Sequence, residues 1–309
     1  MITRALLRTK AAQVLYAGFL AQNDLKTIDN ELIFSINRYY DLYHLLLLLP
    51  LEMVKLAQKS IQFSSKKFIK SEEDLKPNFK LAKNLYAVQL AKNQNLLDYA
   101  KKNGLSWLPY QEEVSGIFKT LKEQDFYQEY MCSKKKSFEE DKNFWINFYS
   151  SDEIFDENFE EFLEGISIYW LDDELLARSF VVKTISMHKQ NDNKNDKLLP
   201  LFKDAEDKRF VRELVRSVFE NNEQYALLID SFLRNWQIER ITKIDVILLK
   251  MAIAELKLFP NIPINVTINE YIEISKFYGT EKSSNFINGI LDNIVKRMKQ
   301  TGTLYKNEN

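Results

Sequence analysis

From Ile244 to Leu256 apolar residues follow one another with almost no polar face: Ile244, Val246, Ile247, Leu248, Leu249, Met251, Ala252, Ile253, Ala254 and Leu256. A helix that is apolar on every side belongs at the centre of a bundle. Thr242, with Asp245 three residues on, marks its start as a capping box with Asp in place of the usual Glu. Pro260 and Pro263 end it, since neither ring tolerates a continued helix. The next helix is expected to open on a Thr267/Glu270 capping box and to stop at Gly279. Ser283 or Ser284 caps a third, whose stripe is Ile287, Ile290, Leu291, Ile294, Val295 and Met298.

The same periodicity recurs upstream. Residues 3 to 22 form a first helix striped by Leu7, Ala11, Val14 and Gly18, widened by Leu15 and Phe19. Ile28 to Lys59 is nearly continuously apolar around Pro50, which predicts two packed helices. Ser64 to Lys80 is polar and charged and reads as a loop, with Pro77 opening a helix that carries Leu81, Leu85, Val88 and Lys92 on one line and runs to Gly104. Pro109 starts another, with Val114, Ile117, Phe118 and Leu121 inward. Lys134-Lys135-Lys136 forms a basic turn. Phe138, Phe144, Trp145, Phe148, Tyr149, Phe155, Phe159, Phe162, Tyr169 and Trp170 then cluster at helical spacing, which favours a core over a base-stacking platform. Lys189 to Lys197 is a polar loop. Phe210, Val211, Leu214, Val215, Val218 and Phe219 make one further stripe; Tyr225, Leu228, Ile229, Phe232, Leu233 and Trp236 make the next. With the first helix and the last three, this gives a six-helix, two-part bundle, because residues 206 to 298 alone leave its apolar stripe unmatched. Residues after Thr301 read as a frayed tail.

Seven glycines and six prolines in 309 residues fit an all-helical chain. Forty-three basic residues stand against forty-four acidic ones, so any nucleic-acid signal must be local. It is uneven: residues 53 to 136 hold sixteen lysines against nine acids, whereas residues 137 to 180 hold thirteen acids against Lys142 and Arg178. Solvated faces explain such runs, and so does a lysine-rich RNA surface beside an acidic half that meets a basic partner or repels RNA. The single cysteine, Cys132, excludes an intramolecular disulfide framework and fits a reducing compartment. The absence of a signal peptide, and of any apolar run near the ~20 residues a membrane span needs, predicts a cytoplasmic protein that spans no membrane. Only two histidines occur, His44 in a leucine run and His188 beside a polar loop; a buried and an exposed histidine explain them better than a metal site. With no phosphate loop and no nucleophile elbow, neither an enzyme nor a cofactor protein is expected.

Particular residues say more than the periodicity. Asn235-Trp236, Arg240, Lys243-Ile244-Asp245, Ile262-Pro263, Ile268-Asn269-Glu270 and above all Tyr278-Gly279-x-Glu281-x-Ser283-x-x-Phe286-Ile287-Asn288-Gly289-Ile290-Leu291-Asp292 resemble the NusB family of transcription antitermination factors. Arg4-x-x-x-Arg8-x-x-Ala11-x-Gln13-x-Leu15-Tyr16 resembles the family's first helix. The resemblance covers roughly a third of the chain and a short N-terminal piece. It implies a NusB-like bundle of residues 1–23 and 205–300, interrupted by a helical insertion over 24–204 and followed by a tail at 301–309.

The resemblance also implies a function. Family members bind boxA, a single-stranded leader element of ribosomal RNA transcripts, together with the small-subunit ribosomal protein NusE, in the transcription elongation complex; some form homodimers. Carried over residue by residue, Arg4, Arg8 and Lys10 become phosphate contacts. Tyr278, Gly279, Lys282, Ser283 and Phe286 become an RNA site at the start of the last helix, with Phe286 either stacking on a base or packing into the bundle. Asp245 becomes a NusE contact, or simply the partner of its N-cap. Lys282, Val246 and Ala254 depart from the usual pattern of an acidic or small residue, an arginine and a tyrosine. Two other readings remain: a helical interaction scaffold that has lost RNA binding, and an RNA-binding accessory to ribosomal RNA modification. NusB-like domains that lead rRNA methyltransferases are followed by a catalytic domain with cysteines, for which this chain leaves no room.

Overall fold

The computed structural model describes residues 2–66, 68, 75–170, 172–190, 197–233 and 241–304. Every regular element among them is a helix, as the composition demands. In chain order these are α1 (Arg4–Leu20), α2 (Leu25–Lys66), α3 (Leu85–Leu90), α4 (Gln94–Asn103), α5 (Gln111–Glu123), α6 (Asp125–Cys132), α7 (Phe138–Tyr149), α8 (Glu157–Ile166), α9 (Glu174–Met187), α10 (Ala205–Glu220), α11 (Asn222–Asp230), α12 (Lys243–Leu258), α13 (Ile264–Tyr278) and α14 (Ser283–Gln300). Short 3₁₀ turns occupy Leu81–Lys83, Leu108–Tyr110 and Ile168–Trp170. The chain divides into two compact units, residues 1–36 with 201–309, and residues 37–200.

The first unit is built around α12. It packs against α1, α10, α11, α13 and α14, and its residues from Ile247 to Leu256 are all buried. The Thr242/Asp245 capping box is formed, each side chain accepting from the other's backbone N–H at 3.2 Å. The α1 stripe is buried against α10 and α12, so residues from opposite ends of the chain share one core. The expected stripe of α14 is buried throughout. Trp236, Asn235 and Arg240 lie outside the described residues.

Two expected caps are not the real ones. Helix α13 starts at Ile264, after Pro263, one turn before Thr267. Thr267 instead donates its hydroxyl to Glu255 at 2.8 Å, and Glu270 accepts from Arg8 at 3.1 Å. A buried carboxylate needs such donors more than an exposed helix end needs a cap. Ser283 is likewise inside α14, not its N-cap.

The second unit corrects the sequence reading more often. The predicted break at Pro50 does not occur: α2 runs through it for 42 residues. Proline has no N–H for the carbonyl four residues back. Here that carbonyl, on Leu46, accepts the Tyr149 hydroxyl at 2.5 Å, and the neighbouring Leu45 carbonyl accepts the Trp107 indole N–H at 2.7 Å. The single helix expected from Leu81 to Gly104 is instead two, because the Asn84 and Asn93 side chains each cap a new start, accepting from Ala87 N–H at 2.9 Å and Leu96 N–H at 3.0 Å. The phase therefore shifts, leaving Leu85 and Val88 exposed while Tyr86, Ala87 and Leu90 are buried. Gly104, at φ +66°, ends α4 as expected.

The aromatic cluster is core. Phe144, Trp145, Phe148, Phe155 and Phe159 form a chain of rings at centroid separations of 4.9 to 5.5 Å. His44 is buried and stacks on Tyr99 at 3.8 Å. His188, expected to be exposed, is also buried, its Nδ1 3.1 Å from the Tyr86 hydroxyl.

Candidate nucleic-acid interface

The carried-over residues fall into three groups. Arg8 and Lys10 point inward and are 2% and 1% exposed. Arg8 is bound bidentately by Glu255, its Nε and Nη2 each donating at 2.8 Å, and its Nη1 donates to Glu270 at 3.1 Å. Glu255 also accepts from the Tyr271 hydroxyl at 3.0 Å. Burial works against the Arg8 charge, but the hydrogen bonds and charge of Glu255, with Glu270 beside it, raise its pKa all the same. Tyr271 is held well above its ordinary pKa, first by burial and then by Glu255. The Arg8 guanidinium is therefore engaged in fastening α1 to α12 and α13, and it is not an exposed phosphate contact. This is the main correction to the reading of the first helix.

Arg4, one turn earlier, is different. Its side chain is 35% exposed. It pairs with Asp207 at 2.8 Å and Glu206 at 3.5 Å and lies over the Phe210 ring at 5.1 Å from the centroid.

The third group forms the corner between α13 and α14. Gly279 sits there at φ −98°, in ordinary extended backbone, so a left-handed turn is not its reason. A Cβ at this position would fall 2.5 Å from the Ser283 side chain and 2.6 Å from the Ser275 carbonyl oxygen. Close approach requires the glycine. Ser283 is buried and accepts the Thr280 N–H at 2.8 Å, and Phe286 is 5% exposed. These three build the corner, with Ser283 and Phe286 turned inward. Tyr278 is half-buried and accepts from the Gln13 amide at 3.0 Å, which joins the corner to α1. Lys282 is exposed. Asp245 is buried in its capping box.

Two aromatics near this corner escaped the sequence reading. Phe277 is 83% exposed, and Tyr16 lies outward on α1. The signal was present: the inner face of α13 is set by Ile268, Tyr271, Ile274 and Ser275, and Phe277 falls off that face. Tyr16 and Tyr278 line a groove of about 470 Å³ with Ala12, Gln13, Thr242, Lys243 and Ile244. An exposed ring, a half-exposed tyrosine and the ammonium groups of Lys243 and Lys282 suit stacking and phosphate contact, while Lys276 is paired with Glu273. Among the described residues no three His, Cys, Asp or Glu side chains are grouped to hold a metal ion, and no helix is long and apolar enough to cross a membrane.

Together these features define an all-helical bundle closed by a buried arginine–glutamate network, with exposed aromatic and basic side chains on one corner and a second helical unit inserted. Comparison with known proteins gives the lineage. The chain matches the NusB family model over residues 175–296. It is 34% identical over 123 residues to transcription antitermination protein NusB of Listeria monocytogenes serotype 4a, covering 40% of this chain and 96% of that protein. Its counterpart in Salinibacter ruber is 35% identical over 136 residues, covering 42% of this chain and 85% of that protein. That of Geobacter sulfurreducens is 43% identical over 98 residues, covering 32% and 71%. A solved structure of T. maritima NusB is 40% identical, covering 33% of this chain and 72% of that one with a TM-score of 0.29. The chain belongs to the NusB family.

Proposed function

We propose that this protein is an RNA-binding transcription antitermination factor acting on ribosomal RNA transcripts, not an enzyme, and that it engages boxA-type single-stranded RNA together with NusE. The observation that carries this reading is the likeness to curated antitermination proteins over nearly their whole length. The exposed corner supports it with chemistry of the right kind. In this reading Lys282 and Arg4 contact phosphates, Phe277 and Tyr278 stack on unpaired bases, and Arg8, Lys10, Gly279, Ser283 and Phe286 hold the surface in shape. The elongation complex in the cytoplasm is the expected setting.

The test is fluorescence-anisotropy binding to a boxA-like single-stranded RNA, with and without the cognate NusE, at two salt concentrations. Lys282→Ala and Phe277→Ala should each weaken binding, by about tenfold for the ring, since base–aromatic stacking contributes about 1–3 kcal/mol. Only Lys282→Ala should flatten the salt dependence. NusE should strengthen binding by the wild type. A folded protein that binds no such RNA under any of these conditions would refute the proposal.

A further inference from the structure

The insertion brings together two lysine-bearing segments that are far apart in sequence. The stretch Lys76–Lys83 lies against the turn after α6: the Asn78 amide donates to the Met131 carbonyl at 2.7 Å, and the Lys80 ammonium donates to the carbonyls of Ser133 at 2.9 Å and Lys135 at 3.1 Å. Lys76 and Lys83 are thereby brought near Lys134, Lys135 and Lys136, and all five are exposed. Phe79, within the first segment, is 44% exposed, with the Lys83 ammonium 5.1 Å from its ring centroid.

The acids at this face are largely engaged already. Glu140 pairs with Lys80 at 3.1 Å and Glu139 with Lys142 at 2.8 Å, so the five outer lysines keep most of their field. Glu72, Glu73 and Asp74 precede Lys76 in the sequence, outside the described residues. Lysines around an exposed ring are the means by which proteins hold single strands: ammonium groups replace counterions along the phosphates and the ring takes a base. An acidic protein would use the lysines but would have less use for the ring.

We propose that this face of the second unit is a separate binding surface for single-stranded RNA, contacting transcript outside the boxA-type element. The inference rests on the RNA-binding reading above and extends it to the insertion. It also gives the lysine-rich half of the insertion a purpose.

The full-length protein is compared with a variant carrying Lys76→Ala, Lys83→Ala, Lys134→Ala, Lys135→Ala and Lys136→Ala, and with Phe79→Ala alone. All six side chains are exposed, so circular dichroism melting should show both variants folded. Binding is measured to a short boxA-like RNA of about 12 nucleotides and to one extended to about 40, within and beyond the span one single-strand site covers. The five-lysine variant should bind the short RNA as the wild type does. It should bind the extended RNA about tenfold more weakly, with a salt slope shallower by about 2–3, since each single-strand phosphate contact contributes about 0.7. Phe79→Ala should lower affinity for the extended RNA alone and remove ultraviolet cross-linking to residues 76–83.

Equal binding of the extended RNA by wild type and variants, with short-RNA binding intact, overturns the second surface and leaves the proposed function standing. Equal loss on both RNAs overturns it as a separate surface. Failure of the folded wild type to bind either RNA overturns both readings. Polyglutamate competing for the surface as well as RNA does would assign it to an acidic protein and also overturn the inference.

Discussion

The two units satisfy their buried polar groups by different chemistry. The first does it with charge: Arg8, Glu255 and Glu270, with the hydroxyls of Thr267 and Tyr271, fasten three helices. The second, although it too holds a buried pair, Arg178 with Glu174, relies more on neutral donors on large rings. Trp107 and Tyr149 donate to carbonyls of α2, Trp145 to the Asn84 side chain at 3.0 Å, and Trp170 to the Arg38 carbonyl at 2.7 Å. A buried ion network fails badly when one member is lost, because the survivor is stranded as an unpaired charge. Neutral hydrogen bonds are individually weaker and fail one at a time. The difference suits their tasks. In the first unit α1 must find partners more than 200 residues away, and a bidentate pair fixes one register. The second unit is a single stretch of chain that only has to fill its own core.

The largest expected effect follows from that contrast. Arg8→Ala strands Glu255, which is fully buried, and should lower stability by about 3–5 kcal/mol. Arg8→Lys should rescue little, since one ammonium cannot reproduce a bidentate fork. Chemical denaturation followed by circular dichroism measures both. Adding Glu255→Gln to Arg8→Ala should recover part of the loss. If Arg8→Ala costs less than 1 kcal/mol, the charge network is not what fastens α1. For the same reason Arg8 is a poor probe of RNA binding: its loss would weaken binding through the fold.

Acid sharpens the comparison next. Burial drives the His44 pKa down to about 4, against about 6.5 when unfolded. It stacks on Tyr99, and its hydrogen bond to the Tyr40 carbonyl, at 2.8 Å, favours the charged ring but only partly offsets burial. A depressed folded pKa leaves the stabilisation complete above pH 6.5 and removes it as pH falls towards 4. His44 alone should cost the second unit about 3 kcal/mol over that window by linkage, while Glu174, whose carboxyl burial pushes up to about 7, contributes in the opposite direction as pH falls. Asp41 is near it, bound to Arg38 and Tyr99; burial raises its pKa, so its own contribution runs the other way and acts only at the acid end. Denaturant titrations followed by tryptophan fluorescence at pH 7, 5.5 and 4.5 should show the wild-type midpoint falling relative to that of His44→Phe, in which the Glu174 contribution is unchanged.

What the sequence made legible tracks these same differences. The central helix, the α14 stripe, the Thr242/Asp245 box and the aromatic core are all local periodicity or local capping, and all appear as expected. The family assignment was legible from the Tyr278–Asp292 run. The failures came where a distant group changed a residue's task. Thr267 and Glu270 have the spacing of a capping box, but Glu255 and Arg8 recruit them. Arg4 and Arg8 look alike on a helix face, yet only Arg4 reaches solvent, because Arg8 faces a carboxylate 247 positions away. Phe286 and Phe277 are both aromatics at the corner; the phase of each helix, not the motif, decides which one is exposed.

Pro50 is the sharpest instance, and it yields the smallest of the effects. Locally a proline in an apolar helix predicts a break, and α2 escapes it because the carbonyl it orphans is taken by Tyr149 from α7. Tyr149→Phe should then cost about 1–3 kcal/mol, the price of an unsatisfied buried carbonyl. In a Pro50→Ala background the new N–H at position 50 can itself reach Leu46, so the same Tyr149→Phe change should cost about 1 kcal/mol less. A double-mutant cycle reads that coupling directly. A coupling near zero would mean that Tyr149 holds α2 only by packing, and that the helix survives its proline through the surrounding core alone. A coupling of the expected sign would make the ring hydroxyl a distant substitute for a backbone N–H.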